Sequence, residues 1–204
     1  MLSLDHLAVA GEDLAAARAH AEAALDVTLQ PGGRHDVFGT HNRLLGLADG
    51  LYLEAIAADP EAPTPVRPRW FDLDRFFGPA RLTNWICRCD DLDAALAQLP
   101  DGFGQPVDLQ RGDLRWRMAV PEDGRLPFDN LAPALIQWTG GGHPAQRLAP
   151  SDCRLLQLSI RHPDGAALRS FLAPLLTDAR IDIAAGAATL SARFATPRGE
   201  RTLA

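Results

Sequence analysis

Lysine is absent from this chain of 204 residues: all 20 basic residues are arginine. Its absence excludes Schiff-base chemistry, a phosphate-loop lysine and a kinase-type lysine. Cysteine is scarce, with Cys87, Cys89 and Cys153 in no C-x-x-C spacing. So odd and sparse a set predicts reduced thiols in a cytoplasmic protein rather than a disulfide framework. Long apolar runs are missing too, and no stretch approaches the ~18 residues that would span a bilayer. The opening Met-Leu-Ser-Leu-Asp-His lacks the basic start of a secretory signal, so neither export nor membrane anchoring is expected. Acidic residues outnumber basic ones, 26 to 20, for a net charge of -6. That balance argues against nucleic acid or an anionic membrane as partner. No G-x-S-x-G, H-E-x-x-H or dinucleotide-binding glycine fingerprint occurs. What is present is 47% hydrophobic residues, enough for a buried core.

Leu4 to Ala10 reads as a strand, and Gly11-Glu12-Asp13 opens an alanine-rich helix over Leu14 to Leu25. Two further strands, His41 to Leu47 and Leu51 to Ala57, flank the turn signal Ala48-Asp49-Gly50. Five prolines between residues 60 and 79, with Trp70, Phe71, Phe76 and Phe77 among the later ones, mark a crossing linker with one helical turn near Asp72 to Phe77. The first pattern then returns: a strand at Leu82 to Cys89, a helix at Leu92 to Leu99, and strands at Leu114 to Val120 and Ala134 to Thr139. Gly140-Gly141-Gly142-His143-Pro144 reads as a loop, since the proline bars a helix start there.

This return is a repeat, and self-similarity fixes architecture. His6 in L-D-H-L-A matches Asn84 in L-T-N-W-I, 78 positions on, and Glu54 in Y-L-E-A-I matches Gln137 in L-I-Q-W-T, 83 positions on. A third, shorter copy begins near Leu155, with Gln157 at the His6 place. The chain stops before that copy would complete its last strand.

Strand side chains alternate, so Leu4, His6 and Ala8 share one face and Leu7 and Val9 the face that the helix covers. Tyr52, Glu54 and Ile56 likewise share a face. A histidine and a glutamate thus sit within apolar strands, on the side away from the helix. A half-buried carboxylate there needs a partner or a metal. Either His6 and Glu54 hydrogen-bond each other or the nearby backbone, or they hold a divalent ion such as Zn, Fe, Mn, Co or Ni. Arg115 and Arg117 alternate around Trp116: facing the interior they would fork a carboxylate or phosphate, and on an edge they form a solvated face with Trp116 and Met118 in the core. Trp85, Cys87 and Cys89 are expected in the core.

The segments L-D-H-L-A-V-A, T-H-N-R-L-L-G-L-A-D-G-L-Y-L-E-A-I and L-T-N-W-I-C-R-C-D-D-L-D-A-A, with the proline-rich stretch into R-W-F-D-L, resemble the glyoxalase-like domain branch of the vicinal oxygen chelate superfamily over roughly residues 1 to 180. The resemblance implies an α+β fold of tandem βαβββ modules, each curling into half of a cup-shaped mixed sheet with helices outside. A C-terminal partial βαβ repeat follows. The modules would span 1–58 and 81–140, the linker 59–80 and the partial repeat 151–204, all in one compact domain. It further implies a metal held by the first and last strands of each module. By position the candidates are His6, Glu54, Asn84 and Gln137. Because the second module offers only amides, either His6, Glu54 and Gln137 hold a metal with water, or the cup has lost its metal. The expected activity is metal-assisted lyase, isomerase or dioxygenase chemistry on a small oxygenated molecule, with His6 and Glu54 catalytic. His41, Asn42, Asn84, Arg115 and Arg117 would contact the substrate. The alternative is a binding protein that sequesters a small molecule, and a homodimer is compatible with either.

Overall fold

The computed structural model describes all 204 residues. Strand β1 (Ser3–Ala10) leads into helix α1 (Leu14–Leu25), which starts where the Asp13 side chain accepts from the Ala16 amide. Alanines on one side of α1 let it lie close to the sheet, burying Ala17, Ala21 and Leu25. Three strands follow, β2 (Gln30–His35), β3 (Thr40–Gly46) and β4 (Tyr52–Ala58). The second module repeats this order with β5 (Arg81–Arg88), α2 (Leu92–Leu96), β6 (Gln105–Arg111), β7 (Leu114–Val120) and β8 (Ala134–Gly140).

The modules join through β1 and β5, which pair antiparallel, giving one eight-stranded curled sheet in the order β2-β3-β4-β1-β5-β8-β7-β6. Its edges β2 and β6 touch, so the sheet wraps into a cup with α1 and α2 outside. Proline is tolerated at Pro31 and Pro106 because both strands lie at sheet edges.

The repeat extends to an irregularity. Between Leu4 and His6 the partner strand advances by one residue, which makes Asp5 a β-bulge, and between Asn84 and Leu82 the same happens at Thr83. A bulge turns two consecutive side chains toward one side. Asp5 therefore joins His6 instead of facing α1, which simple alternation does not anticipate.

The C-terminal unit goes further than a partial repeat. After β9 (Arg154–His162), α3 (Gly165–Leu172) and a parallel β10 (Ile181–Ala185) come β11 (Thr189–Thr196) and β12 (Gly199–Leu203), a closed hairpin. Its order, β10-β9-β11-β12, differs from the modules, where the first strand pairs with the last. It is a separate four-stranded sheet rather than a third half-cup. No helix is long and apolar enough to cross a membrane.

The linker runs across the cup as a strap. Arg69 Nε donates to the Gly39 carbonyl, the Asp72 amide to Gly124, and Asn130 Nδ2 to the Phe71 carbonyl, so both modules hold it. A short 3-10 stretch, Trp70–Arg75, buries Trp70 and Phe71.

Candidate functional site

Inside the cup remains a cavity of about 30 Å³, space for about one water. Aromatic walls, Trp70 and Phe71 from the strap with Trp116 and Trp138 from β7 and β8, take up most of the interior. The polar lining comes from His6, His35, Asn42, Glu54 and Arg111.

His6 and Glu54 do converge: Nε2 of His6 stands 3.8 Å from Oε2 of Glu54, and both are buried. The other ring nitrogen, Nδ1, lies 2.6 Å from the Asp5 carboxylate. An ionised carboxylate only accepts, so Nδ1 is the donor of this contact and Nε2 is the nitrogen turned toward the cavity. Burial alone would raise the pKa of Asp5. Hydrogen bonds from His143 and His6 outweigh it and carry the carboxyl far below its ordinary range. Trp138 Nε1 donates to the same carboxylate at 3.1 Å, and His143 Nε2 sits at 2.9 Å. The His6 ring stacks on Tyr52 with centroids 4.2 Å apart, which fixes its plane.

Glu54 accepts from Asn42 Nδ2, and the Asn42 oxygen accepts from the Gly33 amide at 2.7 Å and from Arg111 at 3.4 Å. Arg111 also donates to His35 Nε2 at 3.1 Å, and His35 Nδ1 bonds Thr40 Oγ1. Burial, then the Arg111 charge, pushes His35 down to about 3, so its ring is a neutral acceptor.

Other sequence-derived candidates lie elsewhere. Gln137 points out of the cup: its amide accepts from the Leu92 amide and donates to the Asp90 carbonyl, anchoring α2. Its neighbours Ile136 and Trp138 face the cavity instead. Strand register explains the slip. Ala8 pairs with Glu54, while Ile86, the residue matching Ala8 in the repeat, pairs with Ala134, so an alanine fills the glutamate's place. Asn84 is buried but occupied with Asn130, away from the cavity. His41 is on the outer side of β3, its Nδ1 3.9 Å from Asp59. Arg115 and Arg117 form the solvated face, Arg117 pairing with Asp93 at 2.7 Å and Arg115 reaching only the Asp113 carbonyl. Trp116 and Met118 are buried, as expected for that arrangement.

Asp5, His35, Arg111 and His143 complete the site without having stood out in the sequence. Asp5 was masked by the bulge. His35 lies on β2, whose Q-P-G-G-R-H shows no alternation, and Arg111 on β6, where it shares a face with Val107 and Leu109 at the end of a short alternating run.

The model of the glyoxalase-like domain family matches residues 4–176. The chain belongs to this family, within the vicinal oxygen chelate superfamily. Among curated proteins none matches it. Solved structures similar to this glyoxalase-like protein include a hypothetical protein from Staphylococcus aureus, at 13% identity and TM-score 0.60, covering 99% of this chain and 84% of that one. The Mn(II)-bound glyoxalase from Novosphingobium aromaticivorans is similar at 11% identity and TM-score 0.51, covering 98% and 81%. At such identities the likeness is one of fold.

The similar glyoxalase binds Mn(II), as its name states. In this glyoxalase-like protein the donors do not fit a divalent metal. A catalytic metal needs about three protein ligands, and no group of three or more His, Cys, Asp or Glu converges here. Asp5 is taken up by His6, Trp138 and His143, and the Asn42 oxygen by Gly33 and Arg111. Only His6 Nε2 and Glu54 remain, with a guanidinium lining the same cavity.

Proposed function

We propose that this protein moves a proton to and from carbon beside a carbonyl or carboxyl group of a small molecule, an isomerase- or lyase-type reaction using acid–base side chains. One observation carries the reading: an Asp5–His6 pair directs a ring nitrogen at a cavity that Glu54, on the neighbouring strand and 3.8 Å from it, also lines. His6 Nε2 takes the proton, Asp5 stabilises the imidazolium, and the electron pair left on carbon moves to the substrate oxygen. Glu54, held by Asn42 beside His6, stands ready to return or remove a proton. The donor set favours this chemistry over a dioxygenase, which needs open positions on a well-held metal.

A cavity of about 30 Å³ is far below the several hundred Å³ of ordinary ligand pockets, which weighs against sequestration of a bulky molecule. Substrate entry then requires the strap to lift. Phe71 and Asp72 both hold left-handed backbones, φ 59° and 58°, which strains the strap in its closed position.

Deuterium wash-in tests the reading. Pyruvate and 2-oxobutyrate in D2O with chelator-treated protein should exchange their acidic C–H faster than the blank by proton NMR, and His6→Gln or Glu54→Gln should return the rate to the blank. Exchange that depends on added Mn(II) or Zn(II), or that both variants retain, would sink the acid–base reading.

A further inference from the structure

The site's positive charge comes from the module opposite to the one that supplies His6 and Glu54. Arg111 lies on the edge strand β6 and reaches over the seam with β2 into the cavity. No carboxylate stands within 4 Å of its guanidinium, whereas Arg117, Arg147 and Arg154 each pair with an aspartate. Its partners are neutral acceptors, His35 Nε2 and the Asn42 oxygen. Since His35 stays neutral, neither partner cancels the charge.

Two details show that this placement is built into the chain. Asn42 stands between acid and base, its nitrogen on Glu54 and its oxygen on Arg111, so the two charges share a cavity without collapsing onto each other. Gly33 leaves the path open, since a Cβ there would lie 2.7 Å from Arg111 Cδ.

We propose that Arg111 is the anion-binding residue of the cup, recognising a carboxylate or developing oxyanion of a small substrate in the place a divalent cation would otherwise serve. A guanidinium offers two parallel donors to a planar oxyanion and stays charged at any working pH. The class of substrate is thereby a small organic acid whose oxyanion meets Arg111 while His6 or Glu54 handles its carbon-bound proton. This rests on the acid–base reading of the same site.

Formate and acetate, the smallest carboxylates, are the probes. With chelator present and chloride as the control anion, each should shift the Arg111 guanidinium nitrogen resonance saturably in NMR titrations. Arg111→Gln should abolish saturation or weaken it at least about tenfold, and Arg111→Lys should keep part of it. Should Arg111→Gln fail to fold, Gly33→Ala takes its place and should weaken binding while melting cooperatively. Unaltered formate binding in these variants, none in the wild type, or binding only with added Mn(II) that His6→Gln abolishes, would overturn the proposal. The two readings separate cleanly. Wash-in without anion binding leaves the acid–base site standing, and saturable formate binding without wash-in leaves Arg111 standing.

Discussion

Asp5 and His6, adjacent in sequence, face each other across a 2.6 Å hydrogen bond because a bulge in β1 turns both to the same side. With Trp138 and His143 also donating to it, the Asp5 carboxylate is buried and fully partnered. Asp5→Asn keeps the shape but sets an amide nitrogen against an N–H donor, and should cost about 3 kcal/mol near neutral pH. The folded carboxyl titrates below its unfolded value, so its contribution is present above that value and fades as pH falls through the acid range. Urea unfolding of wild type and Asp5→Asn should therefore show a gap that narrows on acidification.

His35 carries a second pH dependence with a different window. Its folded value of about 3 is set by burial, then by Arg111 on β6, His6 on β1 and His41 on β3. An unfolded histidine titrates near ~6.5. The stability it confers is complete above that value and declines as pH falls toward the folded one, with a slope approaching one proton. Unfolding free energies measured from about pH 7 down to about pH 4.5 should show this slope, and His35→Gln should flatten it.

At Phe71 the usual ranking of alanine over glycine should invert. The left-handed backbone there disfavours any Cβ by roughly 1 to 2 kcal/mol, so Phe71→Gly should melt higher than Phe71→Ala although both empty the same space. Equal stability of the two in calorimetry would mean that the strap relaxes once the ring is gone.

Gly32 and Gly33 are unequal sites. A Cβ on Gly32 would lie 2.6 Å from the Asn42 backbone oxygen, whereas Gly33 meets the Arg111 side chain, which can swing aside. Gly32→Ala should cost about 1 to 3 kcal/mol and Gly33→Ala less, by urea titration.

Gln137→Ala should loosen α2 by about 1 kcal/mol through its lost hydrogen bonds while leaving proton exchange in the cup unchanged. Loss of exchange in a stable Gln137→Ala protein would return this residue to the site.

The cup was legible because L-D-H and L-T-N repeat with the same strand context, and the structure carries the likeness to matched bulges at Asp5 and Thr83. Glu54 was legible by alternation along an apolar strand. Gln137 misled because matching Y-L-E to L-I-Q aligns letters, whereas the sheet aligns hydrogen bonds and sets Ala134 there. His35 left no trace because Q-P-G-G-R-H carries no period-two signal, whereas Val107, Leu109 and Arg111 do alternate on β6, a short edge run in which an arginine reads as a solvated end. The third copy was legible as a βαβ unit, present as β9, α3 and a parallel β10, and β11 and β12 extend it into a separate four-stranded sheet.

The seam between β2 and β6 gives the two halves of the cup different duties. The first half supplies His6, Asn42 and Glu54, and the second lends Arg111 across the seam. Under the proposed chemistry one half presents the proton-handling groups and the other the guanidinium. Any ligand bridging the two halves should hold the closed cup together, and its binding would register as resistance to unfolding of the whole sheet.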